Sequence, residues 1–352
     1  MKRIGILYDK ESKKRFLLPE QVRQLTAKGI TVNIIKDMGA VFNIADSVYE
    51  EVGAKVYPDW KSVIGNSEIL LKVNAFTKHE LENMNGKMAI TMVNYFNNVD
   101  MLLYMLQNGV TGIEWASLVD TNGYVLFPKL EELKAESTAM GIKQGLVDVI
   151  PNKLKNKVIY PPKPKILILN ATFAGLALAK IALANGMEVT ISDHDLAYLQ
   201  NLQKEIPEIK ICDANYETLL EVISMQNVFV VTTINPSDPT KLRITKEMAV
   251  RMPRGSLLID MSAENGYSFH FAKKFLTKEL KWIAIGKSFY IAPCDILEFS
   301  PKETTEIIAK GSVQYLIDVA ENGTKSSFIA RKINCENGKV VNPSINARLN
   351  LY

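Results

Sequence analysis

Between residues 1 and 125, short apolar runs alternate with amphipathic stretches of about ten residues, the length of an ordinary crossover helix. The runs Arg3 to Tyr8, Val32 to Ile35, Glu68 to Val73, Met88 to Val93 and Thr111 to Trp115 read as strands. Between them, Pro19 to Gly29, Ala45 to Val52, Lys78 to Met84 and Val99 to Leu106 read as helices. Pro19 suits a first helical turn, where its missing N–H leaves nothing unpaired, and Gly29 suits the position just past the helix end. Strands and helices alternating in this way predict βα units around a parallel sheet.

The stretch Leu130 to Val149 has few breakers and predicts a longer helix leaving this first unit. Pro151, Pro161, Pro162 and Pro164 punctuate a basic, turn-rich segment, and a second α/β unit begins at Lys165. There KILIL is a fully apolar strand, Gly175 to Ala184 a helix of small residues and Glu188 to Ser192 the next strand. Asn227 to Thr233, Ser256 to Met261 and Trp282 to Ile285 add buried strands. A long helix, Lys302 to Glu321, follows Pro301, and Cys335-Glu336-Asn337-Gly338-Lys339 predicts a hairpin turn.

Composition narrows the function classes. Of 352 residues, 47% are hydrophobic and 23% charged, the balance of a globular protein with material for more than one core. Forty-two basic against 38 acidic residues leave +4, too thin an excess for nucleic-acid binding. No apolar run approaches the roughly 18 residues of a membrane span, so the chain is expected to have no span of its own. MKRIGILYDK enters a strand rather than a signal peptide, and a cytoplasmic location is expected. Cys212, Cys294 and Cys335 are far apart and read as reduced thiols. His79, His194 and His270 share no metal-ligand spacing, so no metal site is expected and most Ser/His/Asp and Cys/His designs are removed.

The strand KILIL, the turn Asn170 to Gly175 and the small-residue helix have the layout of a dinucleotide-binding βαβ unit. Asp193, 18 residues beyond Gly175, ends the next strand, where a carboxylate accepts from a ribose 2′-OH and favours NAD over NADP. The Gly-x-Gly-x-x-Gly places, however, hold Asn170, Thr172 and Gly175. Asn tolerates the left-handed bend. The branched Thr172 occupies space that a pyrophosphate needs, unless its hydroxyl donates to a phosphate at the helix N-terminus. Retained nucleotide binding and a decayed site are both open on these residues.

Four phrases together resemble the alanine dehydrogenase and nicotinamide nucleotide transhydrogenase alpha-subunit family. They are KKRFLLPEQVRQLTAKG at 13–29, EILLKVNA at 68–75, AGLALAKIALANGMEV at 174–189 and TKEMAVRMPRGSLLIDMSAENG at 245–266. The resemblance implies an α/β fold of two Rossmann-like, doubly wound parallel-sheet domains with a cleft between them. Residues 1–135 with 300–352 would form the N-terminal, substrate-type domain, and residues 136–299 the dinucleotide-binding one.

The same resemblance places Arg15 where the dehydrogenases bind a substrate carboxylate, a task suited to a bidentate guanidinium. The dehydrogenases' Lys-Val-Lys is Lys72-Val73-Asn74 here, so their catalytic lysine position holds Asn74 and their catalytic histidine position falls on Asn94. Neither amide shuttles a proton near neutral pH. Their active-site aspartate falls on Glu264, which with Lys72-Val73-Asn74-Ala75 looks more like the transhydrogenase branch. That branch carries an Arg-Ala-Gln-Ser loop where this chain reads LFPKLEELKAE at 126–136.

The expected protein is therefore an NAD(H)-binding oxidoreductase, more transhydrogenase-like than alanine-deaminating. Its second partner would be an amino or oxo acid, or a second nicotinamide nucleotide, and self-association is implied by resemblance. The alternative is a catalytically silent member that binds a ligand or a partner.

Overall fold

The computed structural model describes residues 2–95, 98–116, 118, 126–154, 160–232, 244–261, 268–269, 282–292, 296–329, 332–343 and 345–346. The chain divides into two compact units, residues 1–128 with 300–352 and residues 129–299. In chain order the strands of the first unit begin with β1 (Arg3–Ile6), β2 (Thr31–Ile35), β3 (Ala54–Tyr57), β4 (Ile69–Lys72), β5 (Met88–Thr91) and β6 (Thr111–Glu114). The second unit carries β7 (Lys165–Leu169), β8 (Glu188–Asp193), β9 (Lys210–Asp213) and β10 (Val228–Val231). It continues with β11 (Leu257–Asp260), β12 (Ile283–Ile285) and β13 (Ser288–Ile291). The chain then returns to the first unit for β14 (Ile333–Glu336) and β15 (Lys339–Val340).

The first sheet has the order β15-β14-β6-β5-β4-β1-β2-β3, and the second β12-β13-β11-β10-β7-β8-β9. Both are mostly parallel. The exceptions are β14, antiparallel to β6 and β15, and β12, antiparallel to β13. Strands β4, β5, β10 and β11 are buried at every residue, the continuous apolar runs that a sheet covered on both faces requires. In each unit the chain lays three strands outward in one direction and then crosses to the other side of the first. The resulting switch points lie between β1 and β4 and between β7 and β10. Open α/β sheets bind ligands outside the carboxyl ends of the strands at such places.

The long helix expected over Leu130 to Val149 runs from Pro128 to Gln144 and widens into a π-turn at Gly145–Val149. A side chain at Gly145 would meet Trp282 at 2.8 Å and Leu257 at 2.9 Å, so glycine lets the backbone press against the core where the helix widens. Strands β3 and β9 left little trace in the hydrophobic pattern because as sheet edges they are only partly covered. The hairpin between β14 and β15 turns through Asn337 at φ 51° and Gly338 at φ 71°, the left-handed pair that a two-residue connection favours.

Cys335 on β14 is fully buried, with Sγ 3.6 Å from the Val110 carbonyl, and burial pushes its thiol up to about 12. Because the thiolate is the nucleophile, iodoacetamide at about pH 8 should leave Cys335 unlabelled until the unit unfolds. Peptide mass spectrometry checks this, and rapid labelling of Cys335 in the folded chain contradicts it.

Candidate functional site

At the switch point of the second unit, β7 is followed by a left-handed residue, Asn170, at φ 72°. Its amide donates to the Ser192 carbonyl at 2.8 Å, and its own carbonyl lies 2.6 Å from where a Cβ on Gly175 would stand. Gly175 is thus required by contact with backbone, the third-glycine task of a nucleotide turn, and Asn170 makes the bend of the first. Thr172 caps the helix Phe173–Ala184: its hydroxyl accepts from the Gly175 amide at 3.1 Å. The same hydroxyl lies 3.1 Å from that of Thr232, which follows β10 and stands 3.1 Å from the carbonyls of both Leu169 and Asn170. A hydrogen-bonded pair of threonines therefore stands at the carboxyl ends of β7 and β10.

Asp193, half-buried at the end of β8, braces this turn from the side. Oδ2 accepts from the Ala171 amide at 2.8 Å and Oδ1 from the Asp195 amide at 3.1 Å. Each carboxylate oxygen keeps a second lone pair for another donor. His194, next along, is exposed.

The strand ends of the first unit gather charge. Lys72, fully buried at the end of β4, has Nζ 2.7 Å from Asp9 Oδ1 and 2.9 and 3.1 Å from the two carboxylate oxygens of Glu80. Glu80 is itself fixed by a capping box in which Thr77 N–H donates to its Oε2 at 2.6 Å. This triad fills the switch point between β1 and β4. Arg15, also buried, donates from Nε to the Met38 carbonyl at 2.7 Å and from Nη1 to the carbonyls of Ser12 and Lys14 at 2.8 and 2.9 Å. Its guanidinium stacks 4.1 Å from the Tyr8 ring centroid. Burial raises the Tyr8 hydroxyl pKa, and the neighbouring Arg15 charge works against that rise.

Asn74 and Asn94 are half-buried in the loops after β4 and β5. The Asn74 carbonyl accepts from the Thr91 hydroxyl at 2.9 Å, and the Asn94 carbonyl from the Asn98 side-chain amide at 2.8 Å. Glu264, like His270 and Cys294, lies outside the described residues. From Pro128 onward the segment 126–136 is helix.

The first-unit structure thus brings Lys72 together with Asp9 and Glu80, and the second-unit structure brings Asn170, Thr172, Gly175 and Asp193 together with Thr232. Asp9, Glu80 and Thr232 were not among the residues singled out from sequence. Thr77-Lys78-His79-Glu80 is a legible capping box, but nothing in its spacing says that the glutamate also holds a lysine from a neighbouring strand.

Family models described as the N-terminal and the C-terminal domain of alanine dehydrogenase/PNT match residues 10–130 and 157–343. Alanine dehydrogenase 1 of Staphylococcus aureus (strain MSSA476) is 22% identical over 343 residues, covering 93% of this chain and 91% of that protein. A solved L-alanine dehydrogenase superposes with a TM-score of 0.78 at 18% identity, covering 99% of each chain. The transhydrogenase from Sinorhizobium meliloti superposes with a TM-score of 0.75 at 18% identity, covering 97% of this chain and 99% of that one. These superpositions share the fold. No helix among the described residues is long and apolar enough to cross a membrane.

Proposed function

The chain belongs to the alanine dehydrogenase/PNT family, and from that premise we propose an oxidoreductase that holds NAD(H) at the Asn170–Gly175 turn and transfers hydride without a side-chain acid or base. The observation that carries the reading is the backbone of the turn. Asn170 bends left-handed and Gly175 packs against its carbonyl, so the shape of a dinucleotide turn persists without its first two glycines.

The residues present fit the group. Thr172 turns its hydroxyl back onto the Gly175 amide and Thr232, leaving the amides of Phe173 and Ala174 in the first helical turn for a phosphate. The remaining lone pairs of Asp193 accept from ribose hydroxyls, and its negative charge disfavours a 2′-phosphate, which selects NAD over NADP. When bound, the nicotinamide supplies the hydride donor or acceptor. Asn74 and Asn94 take up no proton near neutral pH, whereas oxidative deamination of an amino acid must move protons and water. Hydride exchange with a second nicotinamide needs neither, which supports a transhydrogenase-like reaction over an alanine-deaminating one.

A ligand-binding member without turnover is the second reading, and one observation favours it. Lys72 and Arg15, the cations available for a substrate carboxylate, both have their charges directed at groups of the protein itself.

Calorimetric titration with NAD, NADH, NADP and NADPH tests both, on the native chain and on Thr172→Gly. The variant loses only a few tenths of a kcal/mol as a cap and removes the side chain nearest the phosphate. The expected result is measurable heat with NAD(H) in both proteins and a Kd about tenfold lower in the variant, a gain of about 1.4 kcal/mol in binding free energy. Hydride exchange between NADH and a nicotinamide analogue then supports the enzyme. Binding with no turnover of an analogue, amino acid or oxo acid supports the silent member, and no heat from any of the four nucleotides in either protein rejects nucleotide binding altogether.

A further inference from the structure

The two threonines at the carboxyl ends of β7 and β10 belong to a chain of hydrogen bonds whose direction is fixed. Thr232 is buried, and its hydroxyl lies 3.1 Å from the carbonyls of both Leu169 and Asn170. A carbonyl only accepts and a hydroxyl carries one hydrogen, so the Thr232 hydrogen is shared between those two carbonyls. The bond between the threonines then runs the other way, with Thr172 donating to Thr232 at 3.1 Å. Thr172 in turn accepts from the Gly175 amide at 3.1 Å. The chain therefore begins in the first turn of the helix Phe173–Ala184, passes through both hydroxyls and ends on the carbonyls either side of Asn170.

This direction matters to the turn in two ways. The Thr172 hydroxyl has given its only hydrogen to Thr232, so it has none for a phosphate, and a phosphate here is met by backbone amides. Asn170 is left-handed at φ 72°, a conformation that a residue other than glycine keeps only when its surroundings hold it. Thr232 holds the peptide groups on both sides of it. Its Cγ2 also stands 3.2 Å from where a Cβ on Gly175 would lie, so the same side chain packs against the close approach of helix and strand. We propose that Thr232 is the positioning residue of this turn, fixing the Asn170 bend and committing the Thr172 hydroxyl to the protein rather than to the phosphate. The inference rests on the reading that NAD(H) binds at the turn and names what shapes the site in place of the missing glycines.

Calorimetric titration of the full chain with NADH tests it on the native protein, Thr232→Val and Thr232→Ser. Valine keeps the branched shape and removes the hydroxyl, so the turn is ordered only on binding, and a Kd about tenfold higher is expected. Serine keeps the hydroxyl and should stay within about threefold of the native value. Hydrogen exchange without nucleotide supplies a second readout: peptides covering residues 170–176 should exchange faster in Thr232→Val alone, with β8 and β11 unchanged. A general loss of stability would instead speed exchange throughout the second unit, and that result overturns the proposal. Thr232→Val binding NADH as tightly as the native chain or tighter, or Thr232→Ser binding as poorly as Thr232→Val, overturns it too, while leaving nucleotide binding intact. No heat from NADH in any of the three proteins rejects the nucleotide reading and this inference with it.

Discussion

Replacing Lys72 with Met lowers the stability of the first unit by about 3–5 kcal/mol, the cost of leaving buried charge without its partner. Lys72 has no contact with solvent, and its ammonium is the counter-charge for two carboxylates, Asp9 and Glu80. Asp9 is one-third exposed and can regain water, whereas Glu80, at 9% side-chain exposure, cannot. Most of the loss therefore falls on Glu80 and on the capping box it completes. Changing Asp9→Asn and Glu80→Gln in the same background should recover most of it, because a buried ionic cluster replaced as a whole is near neutral. Hydrogen exchange of the β1 and β4 amides, read by mass spectrometry against denaturant, measures the effect within one unit. A loss below about 1 kcal/mol would mean that the triad is solvated in solution and is no closed ionic plug.

Gly175→Ala is expected to cost about 1–3 kcal/mol in the second unit, with loss of the nucleotide binding proposed for this turn in the same step. The new methyl would stand 2.6 Å from the Asn170 carbonyl, 3.2 Å from Thr232 Cγ2 and 3.4 Å from Ile168 Cγ2. The first of these is backbone, held between β7 and β8 by the hydrogen bond that the Asn170 N–H donates to the Ser192 carbonyl, so it cannot yield as a side-chain tip would. Relief requires the helix Phe173–Ala184 to back away from β7, which also withdraws the Phe173 and Ala174 amides. Gly65→Ala is the control. It lies at the end of the helix Trp60–Gly65 with nothing within 4 Å of an added Cβ, and alanine there should be neutral or favourable by up to about 1 kcal/mol. Thermal melts and nucleotide titration of both variants check the contrast; equal behaviour of the two would show that the Asn170–Gly175 contact is not a constraint.

Much of this arrangement is legible in the sequence. Strands buried on both faces, such as KILIL and EILLKV, announce themselves as apolar runs because no alternate position faces water. Pro19 and Gly29 marked a helix that spans Pro19–Ala27, with Gly29 at φ 73°. Edge strands β3 and β9 were hidden for the converse reason, since their exposed residues break the run. The candidate turn could be read as a place but not as a geometry. A sequence shows that Thr172 has replaced a glycine; only the fold shows that its hydroxyl is a helix cap paired with Thr232, sixty residues away. Lys72 was legible as a lysine at a strand end, yet its neutralisation depends on Asp9 and Glu80 arriving from separate segments, and no local pattern encodes that meeting.

The first unit is closed by the last part of the chain. β14 pairs with β6, Ser312 of the long helix Pro301–Asn322 accepts from Trp115 Nε1 at 2.8 Å, and Thr305 accepts from the Arg15 amide at 2.9 Å. During synthesis residues 1–128 emerge from the ribosome with β6 as an open edge, and they wait while the whole of the second unit is made. Open edges of this kind template pairing between chains. The nascent protein is therefore most exposed to aggregation in the interval before β14 emerges, and a synonymous slowing of translation late in the message would lengthen that interval.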